Sequence, residues 1–250
     1  YIDVLHNRAD NYQDRLEVVA RVGDDPSDLG TYMRESGTPS FSTGTITGAE
    51  NGVEIGGSAA AAEFNDVTVT NPVNSGLAVT GSVASSVDGL TVTGGNYGVL
   101  ADAGASGSLG LTNVDVSGTA LAGVYYIKDL AGDLEGTITG SSGAGIKFGS
   151  ATSRDISWTG MDLTTNAVGI DAGGTGTITL IDSDFGNGKD VVIGGSSTVD
   201  FIEGTMDTSS VEVTGSGILN RMRQIDISVE ADSSAVSGAN VVLKNAAGAI

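Results

Sequence analysis

The sequence predicts an all-β solenoid, a right-handed parallel β-helix of about eight rungs, each of about 23 residues with three short strands. Three observations predict it. A strand-like run ending in a turn residue recurs as Thr45-Ile46-Thr47-Gly48, Thr68-Val69-Thr70-Asn71, Thr91-Val92-Thr93-Gly94, Asp115-Val116-Ser117-Gly118, Thr137-Ile138-Thr139-Gly140 and Asp162-Leu163-Thr164-Thr165, then fades through Asp184-Phe185-Gly186 and Thr205-Met206-Asp207-Thr208. A glycine-led marker follows it in phase, as Gly52-Val53-Glu54-Ile55, Gly76-Leu77-Ala78-Val79, Gly98-Val99-Leu100, Gly123-Val124-Tyr125-Tyr126, Gly145-Ile146-Lys147-Phe148 and Gly169-Ile170-Asp171. Gly, Asn and Ser fill the intervals, where tight corners are needed.

Residues 1–41 depart from the repeat and read as an N-terminal cap or the tail of a preceding domain. Four of the seven arginines, the only histidine and two of the three prolines fall here. Leu16, Val18, Ala20 and Val22 alternate in the manner of a strand, and Asp24-Asp25-Pro26-Ser27-Asp28 reads as a turn. Terminal repeats depart from consensus because they close the end of the core.

Residues 42–220 form the repeat body. Side chains alternate along a strand, so Ile46, Val69, Val92, Val116, Ile138 and Leu163 point inward and their Thr or Asp neighbours outward. The second strand carries Val53/Ile55, Leu77/Val79, Val124/Tyr126, Ile146/Phe148, Ile170 and Val191/Ile193. The third carries Leu109/Leu111, Ile156/Trp158, Ile178/Leu180 and Val199/Phe201. Rungs stacked at roughly 4.8 Å make a rod on the order of 40 Å long. Residues 221–250 change character again and read as a C-terminal cap or the start of a truncated β-sandwich module.

Composition narrows function by exclusion. The 31 acidic residues against 11 basic ones give a net charge of −20. Nucleic acid needs clustered Lys and Arg, and anionic lipid repels carboxylates, so neither is an expected partner. No apolar run reaches 18 residues, so no membrane insertion of this segment is expected. Cysteine is absent, which excludes thiol catalysis and disulfide staples. The start at Tyr1, without Met or a signal sequence, is the expected appearance of a processed or excised piece of a longer protein.

The repeat over residues 42–220 resembles the pectate-lyase-like β-helix superfamily in period and turn chemistry. That superfamily includes polysaccharide lyases, hydrolases, phage tailspikes, adhesins and surface-layer proteins, so the resemblance implies a fold and not an activity. Val236-Ser237-Gly238-Ala239-Asn240-Val241-Val242-Leu243-Lys244-Asn245-Ala246-Ala247-Gly248 resembles the opening hairpin of an immunoglobulin-like module.

Candidate sites are sparse. Removing a proton beside a uronate carboxylate needs a basic residue and a cation, for which Arg154-Asp155 with Asp162 is the available set. The Asn-Thr-Asp, Gly-His-Gly and Arg-Ile-Lys signatures of polygalacturonase-type hydrolases are missing. Paired carboxylates for inverting hydrolysis would require Asp115 to meet Asp162 across a skipped rung. Asp182, Asp184 and Asp190, with Asn187-Gly188 between them, make a candidate Ca²⁺ loop out of register for an EF-hand. Asp24, Asp25 and Asp28 form a poorer one, and His6 has no partner for a triad. Tyr125, Tyr126 and Trp158 offer aromatic surface for a sugar, with alternation placing Tyr126 and Trp158 in the core. Outward Thr-x-Thr pairs resemble the ice-binding faces of some β-helical antifreeze proteins, interrupted by Asp115, Asp162, Asp184 and Asp207.

Together these readings predict a noncatalytic, structural or adhesive segment of a large prokaryotic surface protein, extracellular or at the cell surface. Its expected partners are other surface modules or further copies, with neutral glycans as a further class. A polysaccharide-binding or polysaccharide-cleaving β-helix is the alternative, and ice binding a minor one.

Overall fold

The computed structural model describes residues 16–17, 31–33, 40–56, 63–223, 230–231 and 234–235, and its body is a parallel β-solenoid of about eight turns set about 22 residues apart. Three parallel sheets run along it. In the repeat body, sheet I holds the glycine-led strands Asn51–Ile55, Ser75–Val79, Tyr97–Ala101, Ala122–Tyr126, Ala144–Phe148, Val168–Ala172, Lys189–Ile193 and Val211–Val213. Sheet II holds the Thr-x-Thr strands, from Ser40–Thr47 to Asp184–Gly186. Sheet III holds Ile156–Thr159, Thr177–Ile181, Thr198–Ile202 and Ile218–Met222.

The register is the one the repeat predicts. Ile46 pairs with Val69, Val69 with Val92, Val92 with Val116, Val116 with Ile138, Ile138 with Leu163 and Leu163 with Phe185, all in parallel. From Val69 to Phe185 this column is buried. Sheet I supplies a second column, Val53, Leu77, Val99, Val124, Ile146, Ile170 and Val191, and sheet III a third through Ile156, Ile178 and Val199. The columns meet in one continuous core. Each burial in such a stack is shared only with the rungs above and below, so stability accumulates rung by rung.

The recurring glycine of sheet I has a steric cause. A Cβ on Gly76 would stand 2.4 Å from a methyl of Val92 and 2.8 Å from the Gly98 carbonyl oxygen; on Gly123 it would stand 2.2 Å from Ile138 Cγ2 and 2.7 Å from the Gly145 oxygen. The inward column of sheet II therefore fills the space a side chain would need.

The corners have a conformational cause. The residue after each Thr-x-Thr unit is left-handed at Gly48, Asn71, Gly94, Gly118, Gly140 and Thr165, with φ from 49° to 79°. A second left-handed corner precedes the unit at Asp66, Gly89, Asn113, Gly160 and Asp182. Gly, Asn and Asp tolerate this region best, which explains their recurrence there.

Two expectations need correction. Three separate strands per rung occur in the rung of Ser82–Asp88, Thr91–Thr93 and Tyr97–Ala101 and again from Ile156 onward. In two other rungs Glu63–Thr70 and Ser106–Ser117 each carry the third-strand and Thr-x-Thr segments in one strand, which turns at left-handed Asp66 and Asn113. The outward column of Asp115, Asp162 and Asp184 continues into Thr205 rather than Asp207. Asp207 instead caps the short 3-10 turn Thr208–Ser210.

At the N-terminal side Leu16–Glu17 pairs antiparallel with Tyr32–Met33, and Thr31–Met33 extends sheet I beside Val53–Ile55. At the C-terminal side Glu230–Ala231 pairs antiparallel with Ser234–Ala235. The stretch Val236–Gly248, expected to open an immunoglobulin-like module, lies outside the described residues, as do His6, Asp24, Asp25 and Asp28.

Candidate functional site

A hollow of about 20 Å³, room for about one water molecule, lies where sheet I turns toward sheet III. Its floor is aromatic. Tyr126 and Phe148 occupy equivalent positions on adjacent rungs and stack at 5.4 Å, and Trp158 lies 6.0 Å from each. All three are buried, and burial pushes the Tyr126 phenol well above its ordinary pKa. Leu130, Thr152 and Ile156 complete the apolar wall, and Lys128, Asp129 and Arg154 bring charge to it.

The hollow is held by a clasp between rungs. One Asp129 oxygen accepts from the backbone N–H of Ser153 at 2.9 Å and of Arg154 at 3.2 Å, and the other accepts from the Ser153 hydroxyl at 3.0 Å. The carboxylate is thus spent on orienting residues 153–154. Neither Lys128 nor Arg154 enters an ion pair among the described residues. Trp158 Nε1 is buried without an acceptor among the described residues.

A second cluster runs along the outside of sheet I. Tyr125, Lys147 and Asp171 are successive partners in the ladder. Lys147 Nζ donates to Asp171 at 2.7 Å and sits 5.9 Å from the Tyr125 ring centroid, while the Tyr97 ring lies 5.6 Å away from that of Tyr125. The hydrogen bond to Asp171 holds the Lys147 ammonium above its ordinary pKa, against a smaller opposing effect of burial. With the Tyr97 ring and the Lys147 ammonium both packed on Tyr125, this row is a poor stacking platform for a sugar ring.

The candidate calcium residues fall in three environments. Asp182 is a left-handed corner residue at φ 47°, in the column of Asp66, Asn113 and Gly160. Asp184 faces outward from sheet II and accepts from the Thr205 N–H at 3.2 Å. Asp190 is 2% exposed; one oxygen accepts from the Asn187 N–H at 3.1 Å and the other from the Asp207 N–H at 2.8 Å. No group of three or more His, Cys, Asp or Glu suited to a metal occurs among the described residues. The lyase set is also spread out: Asp155 accepts from the Thr177 N–H at 2.8 Å, Asp162 pairs with Thr137 and Asp184 in sheet II, and only Arg154 lines the hollow. Asp115 and Asp162 are separated by Thr137, as expected.

The register reveals more order in the hydroxyl face than the sequence suggests. The column Thr47, Thr70, Thr93, Ser117, Thr139 and Thr164 runs through six rungs without a charged residue, beside the interrupted column Thr45, Thr68, Thr91, Asp115, Thr137 and Asp162.

A buried polar ladder went unread in the sequence. Between sheets II and I, Thr119 bonds Ser141 at 2.7 Å, and the Ser141 N–H donates to Asn166 at 2.9 Å. The Asn166 amide donates to the Ile138 carbonyl and to Asn187, whose own amide donates to the Leu163 carbonyl at 2.6 Å. The available signal was a polar residue one or two positions beyond the end of the sheet II strand, at Thr119, Ser141, Asn166 and Asn187.

Comparison with protein-family models, with curated proteins and with solved structures finds no match for this chain. Among the described residues no helix is long and apolar enough to cross a membrane.

Proposed function

We propose that the chain is a noncatalytic structural or adhesive segment of a large prokaryotic surface protein, working outside the cell as a spacer or assembly element. The observation that carries this reading is the parallel stacking of sheets I and II through the repeat body, in which polar groups at the corners are consumed in holding rung to rung. A site that binds or cleaves a polymer draws on groups left free by the fold. Here Asp129, Asp155 and Asp190 spend their oxygens on the backbone of a neighbouring rung or corner. Two resemblances belong to this proposal: that to pectate-lyase-like β-helices, supported by repeat period and turn chemistry, and that of Val236–Gly248 to the start of an immunoglobulin-like module, supported by its residue pattern. An antibody against residues 63–223 is expected to label intact cells of the source organism. Labelling that appears only after permeabilisation overturns the assignment, and product from uronate or neutral glycans that vanishes in Arg154→Ala replaces it with the polysaccharide-cleaving alternative.

The six-rung hydroxyl column favours ice binding as a second reading, because a flat array at rung spacing matches a repeating lattice better than scattered threonines do. Inhibition of ice recrystallisation, lost in Thr70→Lys, supports it; ice growth unchanged by the protein removes it.

A further inference from the structure

We propose that the hollow beside Trp158 is an anion site, taking one small anionic group, a chloride ion or the carboxylate head of a small ligand, between Lys128, Arg154 and the indole N–H. Three observations converge. The hollow holds little more than a single small group. Trp158 lines it, is 4% exposed, and has a buried Nε1–H with no acceptor among the described residues. A buried donor without an acceptor is costly, so the position favours an acceptor supplied from outside. Water meets that need as well; charge is what selects an anion. Of the charged side chains that line the hollow, two are cations, Lys128 and Arg154, and one is a carboxylate, Asp129, in a chain of net charge −20. The Asp129 oxygens accept three bonds from residues 153 and 154, which offsets their repulsion of an incoming anion. Asp155, next in the chain to Arg154, accepts from the Thr177 N–H, and carboxylates farther than about 10 Å are screened at 0.1 M salt. The inference does not depend on the surface role proposed above.

The protein carries its own probe, because Trp158 is its only tryptophan. Sodium chloride and sodium acetate are titrated separately, with ionic strength held by a bulky sulfonate buffer, while the wavelength of Trp158 emission is followed. A saturable shift is expected, with affinity reduced about tenfold in Lys128→Gln and in Arg154→Gln, as for loss of one charge-assisted hydrogen bond. Saturation by chloride at least as tight as by acetate identifies an ion site, and tighter saturation by acetate a carboxylate site. No saturation with either, or curves identical in wild type and both variants, overturns the proposal and leaves water as the acceptor. The indole N–H resonance of the wild-type protein gives an answer independent of variant folding: a saturable shift on anion addition supports the site, and an unmoved resonance overturns it.

Discussion

Gly123→Ala is expected to destabilise the rod although it adds one methyl group. The new Cβ would stand 2.2 Å from Ile138 Cγ2, 2.7 Å from the Gly145 carbonyl oxygen and 3.5 Å from Ser141 Oγ. Ile138 is fully buried and has stacked neighbours on both sides, Val116 and Leu163, so it has nowhere to retreat. Overpacking of a filled core costs about 1–3 kcal/mol, and a contact this short belongs at the upper end. Replacing glycine returns about 0.4–1 kcal/mol by restricting the unfolded chain, leaving a net loss of about 2 kcal/mol. Gly110→Ala is the internal control, since a Cβ there meets nothing within 4 Å, and it is expected to be neutral or slightly stabilising. Urea unfolding followed by circular dichroism measures both. In the double variant Gly123→Ala/Ile138→Ala the principal clash is removed, so its loss is expected to fall short of the sum of the single losses by about 1 kcal/mol or more. A Gly123→Ala midpoint equal to that of Gly110→Ala, or strict additivity in the double variant, refutes the steric account of the glycine column.

Asp190→Ala is expected to cost about 1–3 kcal/mol, because it strands the Asn187 and Asp207 N–H groups of a part-buried corner; accelerated amide exchange at those two positions checks it. Added NaCl is expected to raise the melting temperature of a chain with net charge −20, and CaCl₂ at matched ionic strength to trace the same curve, since Asp190 is already engaged; a separate saturable calcium increment would restore the Asp182, Asp184 and Asp190 site. Asp207 is held below its ordinary pKa by hydrogen bonds from the backbone and then the side chain of Ser209. Its stabilising contribution is therefore present above the ordinary carboxylate range and lost as pH falls through the lowered value; protection of the Ser209 amide should follow that titration and lose it in Asp207→Asn.

What the sequence discloses here is whatever repeats with the rung. The Ile46-to-Leu163 column and the glycine markers are legible because alternation along a strand and identity between rungs carry the same information twice. The role of Asp182 was not, because an acidic cluster in sequence suggests a ligand set, whereas the backbone angle that selects Asp at a left-handed corner is visible only in three dimensions. The Asn166–Asn187 ladder escaped for a related reason. Its partners are 21 to 28 residues apart, and a polar residue at a corner reads as a solvated turn until the neighbouring rung closes over it. The burial of Tyr126 and Trp158 was legible from alternation, but the cationic rim around them depends on how residues 127–130 fold against 152–154.

The parallel ladders of sheets I and II have a mechanical consequence. Hydrogen bonds between rungs point along the rod, so tension applied to its two ends opens them one after another instead of shearing them together. Each rung released converts a rise of roughly 4.8 Å into an unwound thread of about 22 residues, on the order of 70 Å at 3.3 Å per residue. Under load the molecule would lengthen by about fifteen times its height, rung by rung, as line leaves a reel, with the untouched rungs keeping their packing throughout. A pulling experiment should show this as a train of steps each on the order of 70 Å, and one abrupt rupture of the whole rod would contradict it.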